Sequence, residues 1–450
     1  MSGIRSVRLC GFVVVSAIFG SLWIAGSIHP LAIQDALSAY MGLDPVHEFT
    51  RNSAAAESAI HVELTEPARV NYGTTLSRRN DMQYVPIVER EGYTYEASLA
   101  QAAREVAYFY RDTRRLAPSG VLAFLLDSSG ATFWGVRQTV VVTTGDRQES
   151  IKALLDPADD QENEWLMGIG EVAVDGSSSL KIMVGLSAKR TVEFEPTPRR
   201  YVTGETIALR GRIHSEHTDL FALAMGPAGA VESLKINSRN GRFSGYLTAA
   251  PGEWVVELIG TSGSGPIPLA QLTLHVDQAI PKTYSDVWPP HESRLANPAQ
   301  YMLKLINRDR RLASLPPLKR RPSLDEVAVG HSSDMKMNRF VGHVSPSTGN
   351  VGDRLNTQGV SRVAHGENVA LNNSVTDAHY GLMRSLGHRR NLLSPGFTEV
   401  GIGLISSREG WYVTQVFSRP TATQAAAERA RPRRTQRDSK LSRYGALAKR

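Results

Sequence analysis

The chain has 450 residues, 41% of them apolar and 21% charged, which suits several packed domains and excludes global disorder. A single cysteine excludes a disulfide framework and any cysteine-rich zinc or iron–sulfur site. The formal charge is +7, and residues 421–450 alone carry nine Lys/Arg against two acids, so the remainder sums to zero and the basic balance marks a tail, with no specific nucleic-acid partner indicated.

Arg5 and Arg8 precede an uncharged apolar run over residues 9–28. At about 1.5 Å per residue this run just reaches across a hydrocarbon core, and positive charge before it sends the rest of the chain outward. Residues 1–28 therefore read as a cleaved signal peptide, with Ala25-Gly26-Ser27 as its small-residue site, or as an uncleaved membrane anchor. The blander alternative is a buried helix. Cys10, within the run, reads as an apolar residue. Residues 29–90 read as a stalk or linker, with Ala54, Ala55 and Ala56 in it.

Residues 91–190 read as a small α+β unit. Leu99, Ala102, Ala103, Val106, Phe109 and Tyr110 recur at helical spacing, while 121–126, 133–144 and 179–186 look like strands. Residues 191–277 read as an all-β sandwich of immunoglobulin type: 206–213 alternates, Asn240-Gly241 is a hairpin turn, and 254–259 and 271–276 are strands. Residues 278–292 carry Pro281, Pro289 and Pro290 and read as a stiff linker.

Residues 293–420 are the richest part of the sequence. Asn297 is placed to cap a helix that begins at Pro298, with Tyr301, Met302, Leu305 and Ile306 on its apolar face. A second helix starts near Ser323 and a third near Ser374, where Asp377 stands three residues on as a capping acid. Two strands, 400–406 and 411–417, close the region, so helices come first and strands last in an α+β layer structure. Residues 421–450 read as a disordered basic tail, either solubilising or in contact with anionic envelope polymers.

Five of the twelve histidines (His331, His343, His365, His379, His388) fall in this region. The sequence has no His-Glu-x-x-His helix, Gly-x-Ser-x-Gly elbow or P-loop, and no Gly-x-Gly-x-x-Gly after a strand, so the common hydrolase, NTPase and dinucleotide readings lose support. His331 lies on an apolar helix face and reads as a hydrogen-bonded structural residue. His343 sits in the turn Gly342-His343-Val344-Ser345-Pro346, Glu367 at the edge of Gly366-Glu367-Asn368-Val369-Ala370, and His388 in Gly387-His388-Arg389-Arg390. Two imidazoles and a carboxylate suit a divalent metal such as zinc or magnesium, with His343 and His388 as ligands, or a proton relay. The alternative is a buried polar network that ties loop, helix and sheet together.

These blocks also carry a family resemblance. In order, Leu305-Ile306-Asn307-Arg308-Asp309-Arg310 with Leu315-Pro316-Pro317-Leu318, Ser323 to Met335, Gly342 to Pro346, Gly366 to Ala370, Ser385-Leu386-Gly387-His388-Arg389-Arg390-Asn391-Leu392-Leu393, Phe397 to Gly403 and Trp411 to Phe417 resemble the CAP superfamily. That superfamily comprises the cysteine-rich secretory proteins, antigen 5 and pathogenesis-related 1 proteins with their SCP-like domains, and the likeness is to its bacterial, disulfide-free branch. The resemblance implies a three-layer α-β-α sandwich with a cleft of two histidines and two acids. His343 and Glu367 match the first histidine and the first acid, and His388 is taken as the second histidine. The second acid is missing, because Ser385 stands where eukaryotic members carry Glu, and Leu382 stands where the bacterial branch often has Trp.

The resemblance implies an extracellular or cell-envelope protein and no single activity. Three functions compete: a binding module for a lipid, glycan, peptide or divalent ion; a metal-assisted hydrolase with His343 and His388 as ligands and Glu367 as base; and a structural envelope protein that binds through its tail. The incomplete tetrad and the absence of an evident nucleophile favour the first. Finally, Ser98-Leu99 with Ala102-Ala103 and Gly168-Ile169-Gly170 echo Ser323-Leu324 with Val327-Ala328 and Gly401-Ile402-Gly403, so residues 91–190 are a candidate degenerate copy of the same domain, without histidine.

Overall fold

The computed structural model describes residues 13–17, 59–73, 81–155, 164–174, 179–214, 218–248, 250–287 and 296–423. The signal or anchor segment and the basic tail lie almost wholly outside the described residues. Of the apolar run, β1 (Val13–Ala17) is described, and it is a strand paired antiparallel with residues 138–142. Its three consecutive valines are β-branched and favour extended backbone over helix. Among the described residues, no helix is long and apolar enough to cross a membrane.

The stalk and linker expectations are corrected. Within 29–90, β2 (Ala59–Glu63) alternates exposed and buried residues, and Ile60 and Val62 enter the core of the first α+β unit. Its partner is the antiparallel strand Thr283–Val287, inside the stretch read as a linker. Period-two patterning over five residues is enough for a strand when another segment supplies its hydrogen bonds.

The first α+β unit continues with β3 (Thr94–Tyr95), α1 (Ala97–Thr113), α2 (Ser119–Ser128), β4 (Arg137–Thr143), α3 (Arg147–Leu154), β5 (Trp165–Ala173) and β6 (Lys181–Lys189). Glu96 caps α1 by accepting from Ser98 N, and Arg114 ends it in the left-handed region at φ 56°. Residues 121–126, expected as a strand, belong to α2. A continuous apolar run suits a buried strand or a buried helix equally. Pro118 before the run, and full burial of Val121 and Leu125 one turn apart, show that helix prevails.

The β unit packs two sheets around one core. The larger sheet includes β8 (Thr218–Met225), β10 (Gly252–Ser262) and β11 (Gly265–Val276), preceded in the chain by β7 (Thr206–Ile213), which with β9 (Arg242–Thr248) lies in the smaller sheet. Ile207, Leu209 and Phe243 from the smaller sheet meet Ala222, Val256, Leu258, Leu272 and Leu274 from the larger. Asn240 and Gly241 make the expected two-residue hairpin, both at positive φ (52° and 69°), between the paired Arg239 and Arg242.

The C-terminal unit runs α4 (Pro298–Leu312), β12 (Lys319–Arg320), α5 (Pro322–Asn338), α6 (Val351–Thr357), β13 (Arg362–Asn372), α7 (Val375–Arg384), α8 (Leu386–Leu392), β14 (Glu399–Ser407) and β15 (Gly410–Pro420); β10 and β11 of the preceding unit are called by their residues, 252–262 and 265–276, where they meet it. Its sheet has the order β12-β14-β15-β13. Alternation along β14 and β15 splits the core. Val400, Ile402, Val413 and Phe417 face α4 and α7, while Val416 faces α5, giving three layers.

The first unit repeats this plan. Its five-stranded sheet adds β1 at the edge of β4, and the remaining order β4-β6-β5-β3 matches β13-β15-β14-β12, with the short strand parallel and the other two pairings antiparallel in both. In both, the helix after the short strand lies against two glycines. A Cβ on Gly401 would come within 2.1 Å of the Leu324 carbonyl carbon, and one on Gly168 within 2.0 Å of the Ala100 amide nitrogen. The register carries the match to single residues: Glu367 faces Val416, which faces Gly401, while Gln138 faces Leu186, which faces Gly168. A neutral amide thus stands where the C-terminal unit has its cleft carboxylate.

Candidate functional site

The site is built at one edge of the C-terminal sheet. Glu367 lies on β13 and is 5% exposed. His343 follows α5 in the Gly-Pro-bounded turn, and its Nδ1 sits 3.1 Å from Glu367 Oε1. His388 lies in α8, its ring centroid 6.0 Å from that of His343 with the planes at 43°. The three residues expected from the sequence therefore converge.

The structure adds Arg354 and a supporting amide network, and places His331 beside them. Arg354 donates from Nη2 to Glu367 Oε2 at 2.6 Å and is itself buried. It is held there by α6, which begins in a capping box: Asn350 accepts from Asp353 N, and Asp353 accepts from Asn350 N. His331 is 1% exposed, and its Nε2 contacts Gly342 O at 2.8 Å. A carbonyl only accepts, so Nε2 carries the proton, as befits the expected structural role. Behind the site, Asn391 donates to Glu367 O (3.1 Å) and to Asn368 Oδ1 (2.9 Å), while Asn368 donates to His388 O (3.2 Å). This amide network fixes α8 against β13.

The electrostatics follow from burial. Burial alone would raise the Glu367 pKa, but the His343 hydrogen bond and the Arg354 charge outweigh it and hold the carboxyl below its ordinary value. His388 is pushed down to about 3, first by burial and then by His343. Burial likewise lowers His331.

The β unit forms one wall of the site. Between strands 252–262 and 265–276 the hairpin tip reaches the His343 turn, and Ser264 O accepts from His343 N (2.7 Å) and Val344 N (3.2 Å). Gly342 permits this approach, since a Cβ there would lie 2.6 Å from Ser264 Cβ. Nearby, Leu223 and Ile259 pack on Leu386, and fully buried Glu257 accepts from Gly387 N at 3.0 Å. Burial raises Glu257 to about 7 despite that hydrogen bond.

In a zinc or magnesium centre on His343, His388 and Glu367, the carboxylate would have to give up a partner it already holds. Both carboxylate oxygens are engaged, one of them by a guanidinium that already supplies the neutralising charge. Among the described residues, no group of three or more His, Cys, Asp or Glu is placed to hold a metal ion.

Residues 303–417 match the sequence model of the cysteine-rich secretory protein family, CAP. This chain therefore carries a CAP domain, in a mixed α+β context. Over 117 residues it is 34% identical to the uncharacterized protein YkwD of Bacillus subtilis, covering 26% of this chain and 45% of that protein. It is 41% identical over 93 residues to the uncharacterized membrane protein YlbC of Bacillus subtilis, covering 20% of this chain and 26% of the relative. The chain thus spans less than half the length of these curated relatives. Among solved structures, an extracellular SCP-domain protein of Bacillus anthracis aligns over 51% of this chain and 86% of its own, at 20% identity and a TM-score of 0.26. A cysteine-rich secretory protein of Staphylococcus aureus aligns over 51% and 82%, at 14% identity and a TM-score of 0.23.

Proposed function

We propose that the protein is an exported cell-envelope protein whose CAP cleft is a binding module for a peptide, glycan or other small hydrogen-bonding ligand. One observation carries this reading: Glu367 gives one oxygen to His343 and the other to Arg354, so it is held as a structural anion. What faces outward is a pair of imidazoles. Neither His343 Nε2 nor the ring nitrogens of His388 have a hydrogen-bond partner among the described residues. Such a pair binds and orients a polar group. A metal-assisted hydrolase is the second reading, and it would have to release Glu367 from Arg354 before the carboxylate acted as a base.

Export rests on Arg5, Arg8 and the apolar run, with the segment 9–28 removed as a signal or retained at the membrane, either of which requires Val13–Ala17 to leave its pairing with residues 138–142, and the basic tail offers contact with anionic envelope polymers. The β unit serves as an immunoglobulin-type spacer that also supplies a wall of the cleft, and residues 91–190 are a degenerate copy of the CAP plan with Gln138 at the Glu367 position.

The test is co-sedimentation of the full chain with isolated bacterial cell wall and with vesicles of anionic and zwitterionic lipid, wild type beside the His343→Ala/His388→Ala double variant. Saturable binding to the wall, lost in the folded double variant and accompanied by no release of soluble fragments, supports the binding reading. Fragment release that depends on His343 and Glu367 transfers the assignment to the hydrolase.

A further inference from the structure

A cavity of about 430 Å³ lies away from the His343 cleft, where all three units meet. Its walls come from Phe124 of α2, Val255 and His275 of the β unit, and Met383, Arg384 and Arg389 around the α7–α8 junction. Its volume falls in the range of pockets that hold small organic ligands.

The polar groups on its walls are undersupplied with partners. His275 is 1% exposed, and neither ring nitrogen has a hydrogen-bond partner. Burial lowers its pKa and keeps the ring neutral, with one donor and one acceptor to offer. Arg384 gives its Nε to Gln271 Oε1 at 2.8 Å, and among the described residues no carboxylate lies in ion-pair contact with it. Arg389 has a partnerless buried Nε and a single long contact, Nη1 to Met383 O at 3.5 Å. Burial pulls both guanidinium groups below their ordinary range. Two acids also line the cavity. Asp127 is taken by Arg199 and by the Tyr72 hydroxyl, and Glu253 is exposed as a residue while burial of its carboxyl raises its pKa and disfavours the charged form. The uncompensated charge inside is therefore positive, beside an apolar wall.

We propose that this cavity is a second ligand site that takes a small organic anion, with its charged group between Arg384 and Arg389, a polar group at His275, and an apolar body against Phe124, Val255 and Met383. Arg389 belongs to the Gly387-His388-Arg389 block, so adjacent residues of one helix serve two sites: His388 the cleft and Arg389 the junction.

The test uses the full chain and two fluorescent probes that share a ring system. 8-Anilinonaphthalene-1-sulfonate carries the anion, and N-phenyl-1-naphthylamine does not. The expected result is saturable one-to-one binding of the sulfonate, weakened about tenfold or more in Arg389→Met, as loss of a charge-assisted hydrogen bond requires, and weaker binding of the neutral probe. Val255→Trp fills the cavity from the opposite wall and should abolish binding at an unchanged thermal midpoint, so the proposal stays testable if Arg389→Met fails to fold. Equal affinity for both probes, binding indifferent to both substitutions, or no saturable binding to the wild type would each overturn it.

Discussion

Replacing Arg354 with Met keeps much of the side chain's volume and removes its charge from a carboxylate that is only 5% exposed. Stranding one member of a buried ion pair costs about 3–5 kcal/mol, because the remaining charge is desolvated without compensation. At a urea dependence of about 2 kcal/mol per molar, that lowers the unfolding midpoint of the CAP unit by about 1.5–2.5 M. Hydrogen-exchange protection of peptides from β15 against urea reads this transition apart from the other units. In the wild type, the depressed Glu367 pKa contributes stability that is present above the unfolded value and lost as pH falls through the folded one. In Arg354→Met, burial is less opposed and the carboxyl takes up a proton more readily on folding. The deficit should therefore shrink between about pH 8 and about pH 5, and Glu367→Gln in the Arg354→Met background should restore much of it. A loss below about 1 kcal/mol, or one equal at both pH values, would refute the claim that Arg354 holds a buried anion.

Three further outcomes are expected. Gly401→Ala drives a methyl group into the α5 backbone at Leu324 and should cost about 1–3 kcal/mol or more by urea unfolding; a neutral result would show that the helix can move off the sheet. His388, folded with a pKa near 3, contributes stability that is present above its ordinary 6.5 and lost as pH falls between the two, so His388→Leu should flatten the acid limb of the stability profile; an unchanged limb would place its titration elsewhere. Glu257 has the opposite sign. Raised to about 7, it favours the folded state below its ordinary 4.5 and loses that contribution as pH rises through 7. Glu257→Gln should therefore melt above the wild type at about pH 8, which scanning calorimetry checks, and identical profiles for the two proteins would count against this burial.

Much of the C-terminal unit was legible because its signals are local. Asn297 and Ser374 cap helices through bonds within three residues, and Gly401 and Gly403 record the close helix–sheet contact as missing side chains. His343, Glu367 and His388 were found from their motifs and do converge. Arg354 was not found, because an arginine in a seven-residue helix has no pattern that separates an inward guanidinium from a solvated one. The wall made by Ser264 and Glu257 was invisible for another reason: it comes from a different unit, through contacts 79 and 130 residues apart in sequence. Residues 59–63 and 283–287 look like connectors for the same reason, since each is a strand only by virtue of the other. Residues 121–126 look like a strand and fold as a helix because a short apolar run carries no period of its own.

Glu367 is anchored by Arg354 and His343, and the proposed function has the cleft bind without a metal centre. Calorimetric titration of the full chain with zinc tests it most directly, with wild type beside His343→Ala, His388→Ala and Glu367→Ala. No one-to-one site of micromolar or tighter affinity that depends on all three residues is expected. A single such site, lost in each of the three variants, would contradict it.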